Sequence, residues 1–144
     1  MNWDIRFAPP SAMAAPGVAF SSRTHSGSNS RTISEFQIVQ SKITDMAVGA
    51  RTARLLVAEC AEALGRGERA RSLTSMAKMY ASDVAARSAA DAVQIHGAAG
   101  VSPDYRVGRM YRDAKVLQIV EGSNDLHRSL IGEIELGLRS TGEL

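Results

Sequence analysis

Cysteine, proline and aromatic residues are scarce in this 144-residue chain. The single cysteine, Cys60, rules out an internal disulfide and suits a reducing cytoplasm. Three of the four prolines, Pro9, Pro10 and Pro16, lie near the N-terminus, which leaves only Pro103 to interrupt the rest. Aromatics make up 5% of the residues while alanine and leucine are common, a balance that favours tightly packed helices over a sheet-rich core. No run of about 18 apolar residues exists, so no membrane span is expected. Ala12-Met13-Ala14 mimics a signal cleavage site, but the nearby prolines break the apolar segment that such a signal needs. A large charge of one sign is also missing. The net charge of +2 resides in residues 1–32, where Arg6, Arg23 and Arg31 face Asp4 alone; the remainder carries 14 residues of each sign. A balanced body leaves no electrostatic footprint for nucleic acid.

The length allows one domain with one core. Residues 1–32 hold three prolines and the serine-rich stretch SSRTHSGSNSR (21–31), and show no sustained period. They are expected to form a flexible or disordered head, with residues 33–144 as the folded domain.

The pattern beyond Thr32 is helical. Thr32-Ile33-Ser34-Glu35 fits a capping box, and Ser34 with Gln37 offers a second register. Phe36, Val39, Ile43, Met46, Ala50, Ala53, Val57, Cys60 and Leu64 then recur at steps of three and four. This spacing predicts one continuous buried seam along a long helix, ended by Gly65-Arg66-Gly67. Cys60 on that seam reads as a small core residue rather than a nucleophile. A second helix is expected from about Glu68 to Ile95, with Leu73, Ala77, Tyr80, Val84, Ser88, Ala92 and Ile95 on one face. Gly97 and Gly100 close it. A short helix is expected from Val107 to about Ala114, while KVLQIV (115–120) is ambiguous between helix and extended chain. The last helix starts after Ser123, a good N-cap, and carries Leu126, Leu130, Ile131, Ile134 and Leu138 on one side. The fold class is therefore all-α, an up-and-down bundle whose wide apolar faces want a further helix. Such uncovered faces would drive self-association.

Glu121 is the chemically conspicuous residue. It sits beside Gly122 at the end of an apolar stretch, VLQIV, where a charge is costly unless it is used or paired. An ordinary loop glutamate paired with an arginine is the bland alternative. His96 and His127 lie on different helices without a third ligand, so no metal site is expected.

Several blocks, in order, resemble one family. ISEFQ (33–37) and KITDMA (42–47) are similar to the start of a long helix in flavin-dependent acyl-CoA dehydrogenases. MAKMYASDVAARSAADAVQIHG (76–97) resembles its next helix, and YRDAK (111–115) with EGSND (121–125) resembles the block holding the catalytic base and a flavin contact. The resemblance covers roughly residues 33–138. It implies the C-terminal four-helix bundle of that family and α,β-dehydrogenation of an acyl-CoA thioester. In that reaction a glutamate removes the α proton while a hydride leaves the β carbon for the FAD flavin. Glu121 matches the base. An apolar pocket would disfavour its charged form and make it the stronger base once ionised.

The resemblance further implies that Gln94, Gly97, Gly100, Ser123 and Asp125 lie at the cofactor. Ser123 stands where threonine is common, and Ala98 replaces a common glycine. Arg112 and Asp113 are also family-like and read as a structural hydrogen-bonded pair. The expected partners are an acyl-thioester substrate and either further copies of the chain or a companion dehydrogenase subunit, with neither nucleic acid nor membrane among them.

Other features depart from the family pattern. An arginine and a phenylalanine-glycine pair precede the ISEFQ-like block in complete enzymes; those places hold Ser26, Asn29 and Ser30 here. The bundle's first helix and the upstream domains are not recognisable, so the chain is expected to be a truncated member that is inactive alone. The competing expectation is a non-catalytic remnant, a self-associating helical bundle.

Overall fold

A computed structural model describes residues 32–139. The expected head up to Arg31, with Ser26, Asn29 and Ser30, lies outside the described residues. Every regular element among the described residues is helical. A 3-10 turn at Ile33–Glu35 is followed by α1 (Gln37–Gly65), α2 (Arg71–His96), α3 (Ala98–Val101), α4 (Arg106–Leu117) and α5 (Asn124–Glu135). The all-α expectation holds, and no strand occurs among these residues.

The chain divides into two units at the Ile43–Thr44 step. In the first, the Glu35 carboxylate accepts hydrogen bonds from the Thr32 backbone N–H (3.2 Å) and hydroxyl (2.9 Å). The expected capping pair therefore forms, but it closes a 3-10 turn and not the long helix. Phe36 is extended (φ −85°, ψ 125°), and α1 begins one residue later. Ser34 does not open the helix; its carbonyl accepts from the Gln40 side-chain amide at 3.0 Å.

In the second unit α1 and α2 run antiparallel. Gly49 lies against Val84, and the Cys60 Sγ is 3.4 Å from the Thr74 hydroxyl. Cys60 is buried, as expected of a core residue. The seam differs from the expected one. Ala50, Val57 and Leu64 are exposed, whereas Gly49 and Ala63 are buried and Leu56 is half-buried. Two helical registers share Ile43, Met46, Ala53 and Cys60 and part by one residue in between. Close packing selects the register with glycine: a Cβ at position 49 would sit 2.9 Å from Val84 Cγ1.

Much of the second unit is built on α2, whose buried residues include Ala77, Val84 and Ile95, three positions of the expected face. It ends at Gly97, whose positive φ of 59° opens the turn into the single-turn α3. Gly100 is required by contact, since a Cβ there would lie 2.4 Å from the Val93 carbonyl oxygen. The chain then returns along α2 in two pieces. The segment after α4 reaches Asp83 through Gln118, and α5 continues in the same direction until Glu135 meets Ser72 at 3.0 Å. The ambiguous KVLQIV run thus splits, residues 115–117 completing α4 and 118–120 turning. Ser123 caps α5 as expected, its hydroxyl accepting the Leu126 N–H at 3.3 Å. The apolar side expected for that helix is only partly inward. Leu130, Ile131 and Ile134 are half-buried, but Leu126 and Leu138 are exposed, and Leu138 lies beyond the helix end.

The core consists of small and medium side chains: Cys60, Ala63, Ala77, Val84, Ile95, Val107 and Ala114. Among the described residues no large side chain is fully buried, while Leu55 is 66% exposed, Ile119 60% and Val101 77%. These helices leave wide apolar faces without cover.

Candidate active site

The α4–α5 joint, residues 118–123, crosses the middle of α2. Its ends are tied together by the Asn124 N–H donating to the Gln118 carbonyl at 2.9 Å. Inside the joint Glu121 has φ 56° and Gly122 has φ 89°, two successive left-handed residues. Glycine adopts this region freely. A residue with a Cβ pays about 1–3 kcal/mol for it, so other contacts must hold Glu121 there.

Those contacts come from three side chains. Lys78, on α2, donates from Nζ to the Gly122 carbonyl (2.7 Å) and to Asn124 Oδ1 (2.8 Å). His127, on α5, lies under the joint with Nε2 3.2 Å from the Glu121 carbonyl. A carbonyl only accepts, so Nε2 carries the proton. His127 Nδ1 is buried without a partner. Asn124 is 4% exposed and plugs into α2. Its amide nitrogen donates to Asp83 Oδ1 (2.7 Å) and Ser82 Oγ (2.8 Å), and the Ser82 hydroxyl is 3.1 Å from the Met79 carbonyl, to which it can donate. Every polar atom of this buried amide is therefore satisfied.

Asp83 anchors the network from below. It accepts from Gln118 Nε2 at 2.6 Å, from Asn124, and from the Arg128 guanidinium. Partial burial pushes its carboxyl up. The hydrogen bonds from Gln118 and Asn124 and the charges of Arg128 and Arg87 outweigh that, and its pKa lies below the ordinary aspartate value.

The residues singled out from sequence fall into two groups. Glu121, Ser123 and Asp125 lie together at the joint. Glu121 is exposed, so the described residues do not by themselves enclose its carboxylate in an apolar pocket; exposed Ile119, Val120 and Leu126 lie close to it in the chain. Ser123 is engaged as a cap, and Asp125 is 94% exposed, accepting from Arg128 at 3.3 Å. Gln94, Gly97 and Gly100 lie at the far end of α2, where Gln94 is eleven residues beyond Asp83, or about 16 Å along the axis. Gln94 is exposed, and a Cβ on Gly97 would meet nothing within 4 Å, so these two form an open corner at the end of α2. Gly100 is buried and needed for the chain's own packing. The expected Arg112–Asp113 pair does not form. Both are exposed, and adjacent helical residues point apart. Sequence reasoning missed Lys78, Asp83, Asn124 and His127. A signal was available in Lys78, Ser82 and Asp83, polar residues on one face of an otherwise alanine-rich helix.

The acyl-CoA dehydrogenase C-terminal domain family matches residues 12–136, a span that reaches back into the segment expected to be a head. An acyl-CoA dehydrogenase of Bacillus subtilis is 46% identical over 107 residues, covering 74% of this chain and 28% of that protein. The butyryl-CoA dehydrogenase of Megasphaera elsdenii superimposes with a TM-score of 0.73 at 35% identity, over 79% of this chain and 30% of that one. PigA, solved with FAD and proline, superimposes with a TM-score of 0.72 at 27% identity, over 80% of this chain and 30% of its own. The chain belongs to the acyl-CoA dehydrogenase family and corresponds to its C-terminal helical domain. It spans between a quarter and a third of the length of the relatives it matches. No described helix is long and apolar enough to cross a membrane.

Proposed function

We propose that this chain is the C-terminal domain or subunit of a flavin-dependent acyl-CoA dehydrogenase, with Glu121 as the base that takes the α proton of an acyl thioester. The observation that carries the reading is the pinned left-handed backbone at Glu121. Strain at a non-glycine residue persists where surrounding structure over-determines it, and such places cluster at reacting groups. Gly122 follows, and its missing side chain lets the joint close on the His127 imidazole beneath it, since a Cβ there would lie 3.1 Å from Nε2. The exposed apolar residues around the joint fit a surface that other parts of an enzyme cover.

When bound, FAD supplies the acceptor for the hydride leaving the β carbon. Gln94 and Gly97 at the end of α2 are the residues that would approach its nucleotide, and Ser123 adds a hydroxyl at the joint. The partners this requires are chains or domains that enclose the thioester, whether further copies of this chain or a companion subunit. Alone, with its carboxylate in water, the chain is not expected to turn over acyl-CoA. The exposed Leu55, Val57 and Leu64 on α1 favour a second reading, a self-associating bundle without flavin.

The chain should be purified with whatever co-assembles with it, and its flavin absorbance and the bleaching caused by acyl-CoA measured. Retained flavin with bleaching supports the enzyme, and a flavin-free oligomer supports the bundle. In an active assembly Glu121→Gln should lower turnover by about 100- to 10,000-fold while leaving assembly intact. Unchanged turnover would sink the role of Glu121.

A further inference from the structure

We infer that Lys78 and His127 are positioning residues, which aim the Glu121 side chain by gripping two successive backbone carbonyls. The inference rests on the reading of Glu121 as the base. The carbonyl of Glu121 receives the His127 Nε2–H at 3.2 Å, and the carbonyl of Gly122 receives the Lys78 ammonium at 2.7 Å. Fixing both carbonyls fixes the two peptide planes that follow Glu121. With the joint already closed by Asn124 and Gln118, the direction of the Glu121 Cα–Cβ bond follows from them.

Both residues are chemically unusual for a merely structural role. Lys78 is only partly exposed, yet its ammonium donates to two neutral oxygens, the Gly122 carbonyl and the Asn124 amide. Charge pairing does not explain a lysine there, whereas a demand for a strong donor at a carbonyl does. His127 buries Nδ1 without a partner. A leucine would fill the same space without stranding a polar atom, so the ring is explained by its other nitrogen. That nitrogen is also 3.1 Å from where a Cβ on Gly122 would project, so the imidazole and the glycine form one close-fitting unit under the joint.

Removing the donors should let Glu121 relax out of the left-handed region, because nothing intrinsic to glutamate favours it. NMR of the full chain reads this directly: a strong intraresidue amide–Hα NOE at Glu121 marks the left-handed backbone. It is expected in the unaltered chain and in His127→Gln, which keeps an N–H donor. It is expected to vanish in Lys78→Met combined with His127→Leu, with helical circular dichroism retained. Persistence of the NOE in that double variant overturns the clamp. Should the double variant fail to fold, imidazole nitrogen shifts of the unaltered chain decide. The clamp requires the Nε2–H form, and an Nδ1–H tautomer would overturn the part played by His127.

The catalytic consequence is tested in the flavin-loaded assembly. Single substitutions Lys78→Met and His127→Leu should lower kcat at least tenfold with KM unchanged, and His127→Gln should recover most of the loss. If Glu121→Gln abolishes turnover while these variants leave kcat intact, the positioning role is overturned and the base assignment stands. If Glu121→Gln itself leaves turnover intact, the base reading fails, and the positioning role falls with it.

Discussion

The two sides of α2 are held by opposite means. Towards α1 the contacts include small apolar groups: Gly49 against Val84, with Cys60 and Ala63 also buried on α1. Towards the α4–α5 joint the contacts include a lysine, two carboxylate oxygens, a serine and two side-chain amides in one hydrogen-bonded network. The apolar side sets how close two helices come, and it selects the register of α1 by volume alone, through the one place where Gly49 lets Val84 approach. The polar side is directional. Asn124 satisfies its partners in one placement only, and that placement fixes where Glu121 stands.

Three experiments would break or sharpen this contrast. The largest effect is expected on the polar side. Asn124→Leu removes an amide that serves Lys78, Ser82 and Asp83 together and leaves Ser82 buried and the two charged groups half-buried without it; about 3 kcal/mol of stability should be lost, read from urea unfolding. If Asn124→Leu proved neutral, the network would not be what holds the joint. The apolar side should respond to volume alone. Gly49→Leu forces a side chain into Val84, a stiff β-branched residue, and should cost about 2 kcal/mol in the same assay without altering the backbone signal at Glu121.

The smallest effect is the response to acid. The folded-state pKa of Asp83 lies below its unfolded value, so its contribution is complete above about pH 4 and disappears as pH falls through the depressed folded value. Unfolding midpoints should therefore drop on acidification below about pH 4, and the drop should be shallower in Asp83→Asn. Equal slopes with and without the carboxylate would show that Asp83 contributes nothing to that limb.

Local order was legible in the sequence because its causes are local. The Thr32–Glu35 pair, the stop at Gly97 and the cap at Ser123 each depend on residues within a few positions, and each is present. The register of α1 was less legible. A glycine does not register as apolar, yet Gly49 is the buried position and Ala50 the exposed one. The site divided in the same way. Glu121 and its neighbours stood out through their block, and the structure holds Glu121, Ser123 and Asp125 together at one joint. The residues that secure the joint did not stand out. Lys78 and Asn124 are 46 positions apart, and periodicity carries no information about pairs at that separation. The left-handed backbone at Glu121 was also unmarked, since glycine is the usual signal for it and glutamate is not.

The bond that closes the joint has a consequence for how this segment can vary in length. With the Asn124 N–H fastened to the Gln118 carbonyl, the number of residues between them is part of the geometry. One residue added or removed there would rotate α5 by about 100° about its axis. Asn124 would swing off α2, and Arg128 would leave Asp83. Exchange of one side chain for another at exposed Ile119 or Val120 carries no such penalty. Insertions and deletions should therefore be absent from residues 119–123 in functioning relatives, even where the residue types there differ.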